Sequence, residues 1–349
     1  MKLRLLGIAP KLFFLCAFFF LNTKTYTAGS IDATTNVNFQ STSYTFADSE
    51  FARGFVRLDQ GLTANGLLNL NVLFPVAGAI NIDAAGKLVL DGDLTLASNV
   101  TIPNGGEING QNHTLFLQGD LTIPANKTLK ISGNLTIDGQ GHNLIFADEA
   151  LLVIDGAAAT KLTIRNTKLK ALKNNPISGP SIQFGDALNQ KLVLNDSDIL
   201  LGGDFTFEWG ALDIVNTVNF KGDFWIFEYA STYNLTIKKN SKLFMDIGFY
   251  FFYNPTDNKQ THIAMQDLTS QLFLNGCVFY TSGLTGLKLT KGHLLIDHSV
   301  IFTNLSPTTK DKGLIFGNGN AAYDLEIDIF PGASIDVSTG FLTYKNAKN

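Results

Sequence analysis

The chain is short of the groups that most surface chemistry relies on. Its 349 residues include 26 Lys and Arg, and beyond position 28 the only arginines are Arg53, Arg57 and Arg165. Its two cysteines are Cys16 and Cys277. Cys16 lies in an N-terminal apolar run, so once that run is removed no intrachain disulfide can form. A chain of this length buries enough core to stand without one. No later stretch reaches ~18 consecutive apolar residues, so no second membrane helix is expected. The C-terminus also lacks the alternating strands of a membrane barrel. His113, His142, His262, His293 and His298 show no metal-ligand spacing on a helix, and the nonapeptide signature of calcium-binding β-rolls is missing. The sequence therefore points to no metal and no cofactor.

The N-terminus does carry a recognisable segment. Lys2, Arg4 and Lys11 precede the apolar run Leu12–Leu21, which polar residues follow. That order is the pattern of a secretory signal peptide, and the run falls well short of the roughly 20 residues a membrane span needs. Residues 1–28 are read as a leader, with secretion or the cell surface as the destination. Removing them takes away four cations and no acid, leaving 22 Lys and Arg against 30 Asp and Glu, a net charge of −8. Such a surface repels nucleic acid and anionic lipid.

The strongest positive signal is self-similarity. Ile108-Asn109-Gly110-Gln111-Asn112-His113-Thr114-Leu115 returns 29 residues later as Ile137-Asp138-Gly139-Gln140-Gly141-His142-Asn143-Leu144. Gly92-Asp93-Leu94-Thr95-Leu96 returns at Gly119 and again at Gly133. Repetition on this scale marks a solenoid. An anchor of Leu-x-Ile/Leu followed closely by Asn or Asp recurs at Leu135, Leu162, Leu192, Leu212, Leu235, Leu272, Leu294 and Leu325, at intervals of 27, 30, 20, 23, 37, 22 and 31 residues. The segments are short, alternating and broken by Gly or Asn, which argues strand over helix. The expectation is one coil per anchor, with aliphatics stacked inside, Asn or Asp at the bends, and the uneven intervals taken up by loops at one bend. His113 and His142, at equivalent places in the phrase, are expected to stack. Cys277, where other coils place Ser or Thr, is expected to face inward.

Repeats of the form Leu-Thr-Ile-x-Asn-x-x-Leu and Ile-Asp-Gly-x-Gly-His-x-Leu resemble the coils of the pectin-lyase-like superfamily over roughly residues 86–340. The resemblance implies an all-β, right-handed, single-stranded parallel β-helix with an N-terminal cap. The chain divides into a leader (1–28), a polar lead-in and cap (29–85) and the β-helix (86–349).

That superfamily contains polysaccharide lyases and glycoside hydrolases as well as repeat proteins without catalysis. Lyases of this fold use an arginine base beside a calcium cluster of aspartates, and hydrolases use paired Asp-Asp and Arg-Ile-Lys motifs. Only Gly141-His142-Asn143 echoes a hydrolase motif here. The weak catalytic candidates are Asp138, Arg165, Asp196 and Asp198. Asp196 and Asp198 share a strand face if extended, and two placed carboxylates are the minimum for glycoside hydrolysis.

One compositional excess remains. Fifteen aromatics lie between Phe205 and Tyr253, including both tryptophans and the unbroken run Phe249-Tyr250-Phe251-Phe252-Tyr253. Alternation forbids all five from facing one interior. Core packing explains part of the excess. A binding patch of Trp209, Trp225, Tyr250, Phe251, Phe252 and Tyr253 explains the rest, since outward aromatics suit sugar rings or a protein partner. The sequence thus favours an exported, non-enzymatic scaffold that presents a side face to a polysaccharide or a surface protein, as in adhesion. A polysaccharide lyase or hydrolase is the alternative, and self-association through an open end is a third expectation.

Overall fold

The computed structural model describes short strand backbones between Asn36 and Leu90, then residues 93–96, 106–156, 159–185, 190–282, 286–305, 312–317 and 325–345. The leader at 1–28 lies outside the described residues, as does most of the expected cap at 29–85. Within that cap, strand Tyr44–Phe46 pairs in parallel with Leu67–Leu70, which pairs with Lys87–Leu90.

The described residues contain no α-helix, and their strands wind into a parallel β-solenoid of about 9 turns. A coil holds three short strands, as in Thr128–Ser132, Leu135–Asp138 and Asn143–Phe146, each bonded in parallel to its counterpart one coil further on. Two of the three faces merge into a fifteen-stranded sheet, because strands Lys191–Leu201 and Ala211–Lys221 run unbroken through a corner. The third face is split into a seven-stranded sheet up to Ile182–Phe184 and a six-stranded sheet from Phe205–Phe207 onward.

Alternation aims the aliphatics at the bore. Leu135, Leu162, Leu192, Leu212, Leu235 and Ile263 stand in one column, and Ile137, Ile164, Leu194, Ile214, Ile237 and Met265 in the next. All are buried. The same register fails to continue to Leu272. Leu272 pairs with Leu243, and the column then runs through Leu294 to Ile327. The 37-residue interval is therefore a step from one face to the neighbouring one rather than a loop inserted into a single column.

The duplicated phrase is corrected in the same way. Ile108 pairs with Ile131 on one face, whereas Ile137 pairs with Leu115 and Ile164 on another. The two copies are two different corners of the coil. His113 stands opposite Leu135 and 3.7 Å from Asp93, while His142 lies 3.9 Å from Asp120, so the two histidines do not stack on each other. The phrase encodes corner chemistry, which is local and recurs wherever the chain must bend. Two of its glycines sit where the next coil comes close: a Cβ on Gly110 would lie 2.4 Å from the Asn134 carbonyl, and one on Gly139 would lie 2.4 Å from Thr167 Oγ1.

The bends use Asn and Asp as expected, in two ways. Asn166, Asp196, Asn216 and Asn240 take left-handed backbone angles (φ 48–55°), which these residues tolerate best after glycine. Others satisfy the next coil: Asp93, Asp120 and Asp204 accept the backbone N–H of Thr114, Asn143 and Ile226 at 2.7, 2.9 and 2.9 Å. Asparagines also bond along the axis, Asn134 Nδ2 to Asn112 Oδ1 and Asn216 Nδ2 to Asn195 Oδ1, both at 2.9 Å. Thr167, Ser197, Ser241 and Cys277 point inward and are buried, whereas Thr217 and Ser299 are exposed. Burial pushes the Cys277 thiol up to about 12.

Candidate functional site

The acidic candidates occupy a corner of the fifteen-stranded sheet. Asp138 and Arg165 face each other in register on adjacent coils. Arg165 donates from Nη2 at 2.8 Å and from Nε at 2.9 Å to Asp138 Oδ2. Asn166 Nδ2 and the Gln140 N–H fill Oδ1 at 3.2 and 3.1 Å. Asp138 is buried, and its charge is spent on the corner. Asp196 accepts Asn216 Nδ2 at 2.9 Å and the Thr217 N–H at 3.2 Å. Asp198 pairs with Lys221 Nζ at 2.8 Å and accepts Asn219 Nδ2 at 2.7 Å.

The structure brings Asp196 and Asp198 together on a shallow cleft of about 440 Å³, lined also by Gln140, Gly141, Asn166, Thr167 and Lys168. Asp138 and Arg165 are not part of that lining. Among the described residues, no three of His, Cys, Asp and Glu converge as ligands of a metal ion would.

The aromatic candidates divide by face, and the division is strict. On the six-stranded sheet, Phe205, Phe227, Phe251, Phe279 and Phe302 form an inner ladder, one ring per coil. Their centroids lie 5.5, 5.7, 4.9 and 5.6 Å apart in that order. Phe207, Tyr229 and Tyr253 form a second inner ladder. The buried tyrosines each find an acceptor, as buried hydroxyls must: Tyr229 donates to the Tyr233 carbonyl and Tyr253 to the Lys259 carbonyl, both at 2.6 Å. Burial raises both phenols. Phe251 and Tyr253 are thus core residues with no exposed ring, and the expectation that they bind a partner is corrected. They share parity with Phe249, which packs 5.3 Å from Phe220 inside the coil.

The residues between them face outward. Tyr250 and Phe252 are half-buried, and Trp209 and Trp225 are 48% and 44% exposed. The two tryptophans flank the strands of this face at opposite ends, Trp209 just after Phe205–Phe207 and Trp225 just before Ile226–Tyr229. No family model, curated protein or solved structure matches the chain. What this face does must be read from its own geometry.

That geometry includes residues the sequence reading did not select. Phe224, Tyr250, Tyr280 and Phe252 form a continuous chain of outer rings, with centroids 6.2, 6.1 and 6.5 Å apart and planes at 73°, 89° and 86°. Edge-to-face contact is a favoured arrangement for aromatic pairs. Ile247 and Ile301, 63% and 37% exposed, lie at the margins. Tyr280 escaped notice because its strand has only one outward ring and lies beyond the dense aromatic window. Applying the inner parity of Phe205-Thr206-Phe207 to Val278-Phe279-Tyr280-Thr281 would have found it.

A separate buried cluster sits beside the same sheet. His262 is almost wholly buried, with Nε2 2.9 Å from both Asp257 oxygens and Nδ1 3.0 Å from the side-chain amide of Asn234. Its backbone N–H donates to Tyr253 Oη at 2.9 Å. Burial lowers the His262 pKa against the opposing pull of Asp257. The cluster ties the 254–262 loop to the coil through Tyr253 and Asn234.

Proposed function

We propose that this chain is an exported, non-enzymatic parallel β-helix of the pectin-lyase-like kind, acting at the cell surface or outside the cell. Its coil is a rigid scaffold, and its six-stranded face is the binding surface, offered to a glycan or a protein. The observation that carries the reading is the outer ring chain Phe224–Tyr250–Tyr280–Phe252. These outward rings, half-buried except for the exposed Phe224, are not needed by a core that already has its own ladders, and contiguous apolar surface of this kind marks an interaction site. The leader at 1–28 supports export. The enzymatic alternative has less to stand on, because Asp138, Asp196 and Asp198 are each held by corner hydrogen bonds or a cation.

The test is retention of the mature protein on panels of polysaccharides and surface proteins, with sugar release followed in the same wells. Retention without cleavage is expected, and it should fall when Tyr250 and Phe252 are changed together to serine. Sugar release would overturn the scaffold reading. Retention that survives the double change would move the binding surface elsewhere.

A further inference from the structure

The outer face combines three features that do not follow from one another. The first is the ring chain. The second is a misplaced residue: Phe224 holds φ 62°, a left-handed conformation that bulky side chains rarely adopt. At the corresponding corners of the following coils the positive-φ positions are Gly248, Gly276 and His298, with φ 76°, 61° and 58°. Phe224 donates its N–H to the Gly248 carbonyl at 3.0 Å, and its ring lies over Gly248, yet it remains 72% exposed. The fold accepts strain here and recovers little burial from it. Strain of this kind gathers at functional sites.

The third feature is charge. The strands of this face and their flanking corners, residues 203–210, 222–234, 246–258, 275–282, 297–305 and 333–341, contain no lysine and no arginine. They do contain Asp204, Glu208, Asp223, Glu228, Asp246, Asp257, Asp297 and Asp336. Among the described residues none of these eight forms an ion pair with a lysine or arginine, and only Asp257 and Asp297 lie against a histidine, His262 and His298. Lys191 and Lys238 pair with Asp213 and Lys221 with Asp198 on the fifteen-stranded sheet or its margin, and the lysines that border this face, Lys173, Lys221 and Lys259, lie outside its strands.

We infer that the six-stranded face docks a basic, apolar-tipped polypeptide segment, with Phe224 and Trp225 as its anchors. Complementary potential would steer such a segment onto the face. Its arginines would stack on Tyr250 and Tyr280, as guanidinium groups do on aromatic rings, and its apolar side chains would cover Phe224, Trp225 and Ile247. This rests on the scaffold reading above and narrows it to one class of partner.

The probe is a synthetic peptide of alternating arginine and leucine, measured against an oligolysine of equal length and against neutral polysaccharides. The Arg-Leu peptide should bind the mature protein and weaken as salt is raised. Phe224→Gly, which leaves the charge intact and relieves the strained backbone, should lower its affinity on the order of tenfold while raising the unfolding midpoint. Tyr250→Ser with Tyr280→Ser should lower affinity comparably. Oligolysine should bind more weakly and be indifferent to both changes. If the aromatic variants leave Arg-Leu binding unchanged, general charge attraction explains the binding and the inference falls. If a neutral polysaccharide is retained instead, with the same aromatic dependence and no salt dependence, the inference falls and the scaffold reading stands as a glycan binder. If neither probe is retained, the inference falls, and the scaffold reading falls with it only if the surface-protein panel is also not retained.

Discussion

Phe251 and Phe252 are the same residue type, adjacent in one strand, with opposite fates. Phe251 has no exposed surface and lies between Phe227 and Phe279 at 5.7 and 4.9 Å. Phe252 faces out and makes a single edge contact with Tyr280 at 6.5 Å. Truncating a buried phenylalanine to alanine costs about 3–5 kcal/mol, the lost transfer energy plus the cavity left behind. A change on the outer face should stay within about 1 kcal/mol. Set against a typical domain stability of ~5–15 kcal/mol, the gap between the two is large. In a solenoid each coil leans mainly on its neighbours, so the loss should be felt locally before it is felt globally. The chain offers a local reporter, because its only tryptophans are Trp209 and Trp225. Trp225 precedes strand Ile226–Tyr229, which pairs directly with Tyr250–Tyr253. Urea unfolding followed by tryptophan fluorescence should therefore show a much lower midpoint for Phe251→Ala and a nearly unchanged one for Phe252→Ala. Equal shifts, or a larger shift for Phe252→Ala, would mean the strand presents its other side to the bore, and the outer ring chain would lose its basis.

Three further outcomes are expected. Gly139→Ala should cost about 1–3 kcal/mol by overpacking, since its Cβ would meet Thr167 Oγ1 at 2.4 Å and the Asn166 carbonyl at 2.9 Å; a neutral effect in thermal melts would show that the corner has slack. His262 is lowered from 6.5 by burial, so the unfolded chain takes up its proton first. Stability should be full above about pH 6.5 and decline as pH falls from there through the folded value. A second loss is expected below 3.8, because Asp257, though burial pushes it up, is held low by its bonds to His262 and to the Lys259 N–H. His262→Gln should remove the first step in a pH series of melts and leave the second unlinked to an imidazole. Cys277 should resist thiol reagents at mildly alkaline pH in the folded protein and react on unfolding, because its buried thiol is pushed up to about 12; prompt labelling of the native chain would contradict its inward placement.

What could be read in the sequence, and what could not, follows from the range of each interaction. Alternation is local, so Leu162-Thr163-Ile164 and Leu192-Val193-Leu194 declared themselves strands with one side inward, and the structure stacks them in register. Corner chemistry is local too, which is why Asn and Asp at the bends were legible. The phase of the coil is set by pairing between residues some 20 to 35 positions apart, and no short phrase records it. Identical corners on different faces therefore passed for successive copies of one corner, and Leu272 for the successor of Leu235. The candidate site divided along the same line. That some of the five aromatics from Phe249 to Tyr253 must face out was forced by geometry. Which ones do so depended on register with Phe227 and Phe279 in neighbouring coils. Phe224 was the least legible of all, since nothing in Gly222-Asp223-Phe224-Trp225 states that the phenylalanine takes the left-handed angle that the next two coils assign to glycine. A residue that local rules disfavour, kept exposed and set among rings and acids that no lysine or arginine neutralises, is better explained by something outside the coil than by the coil itself.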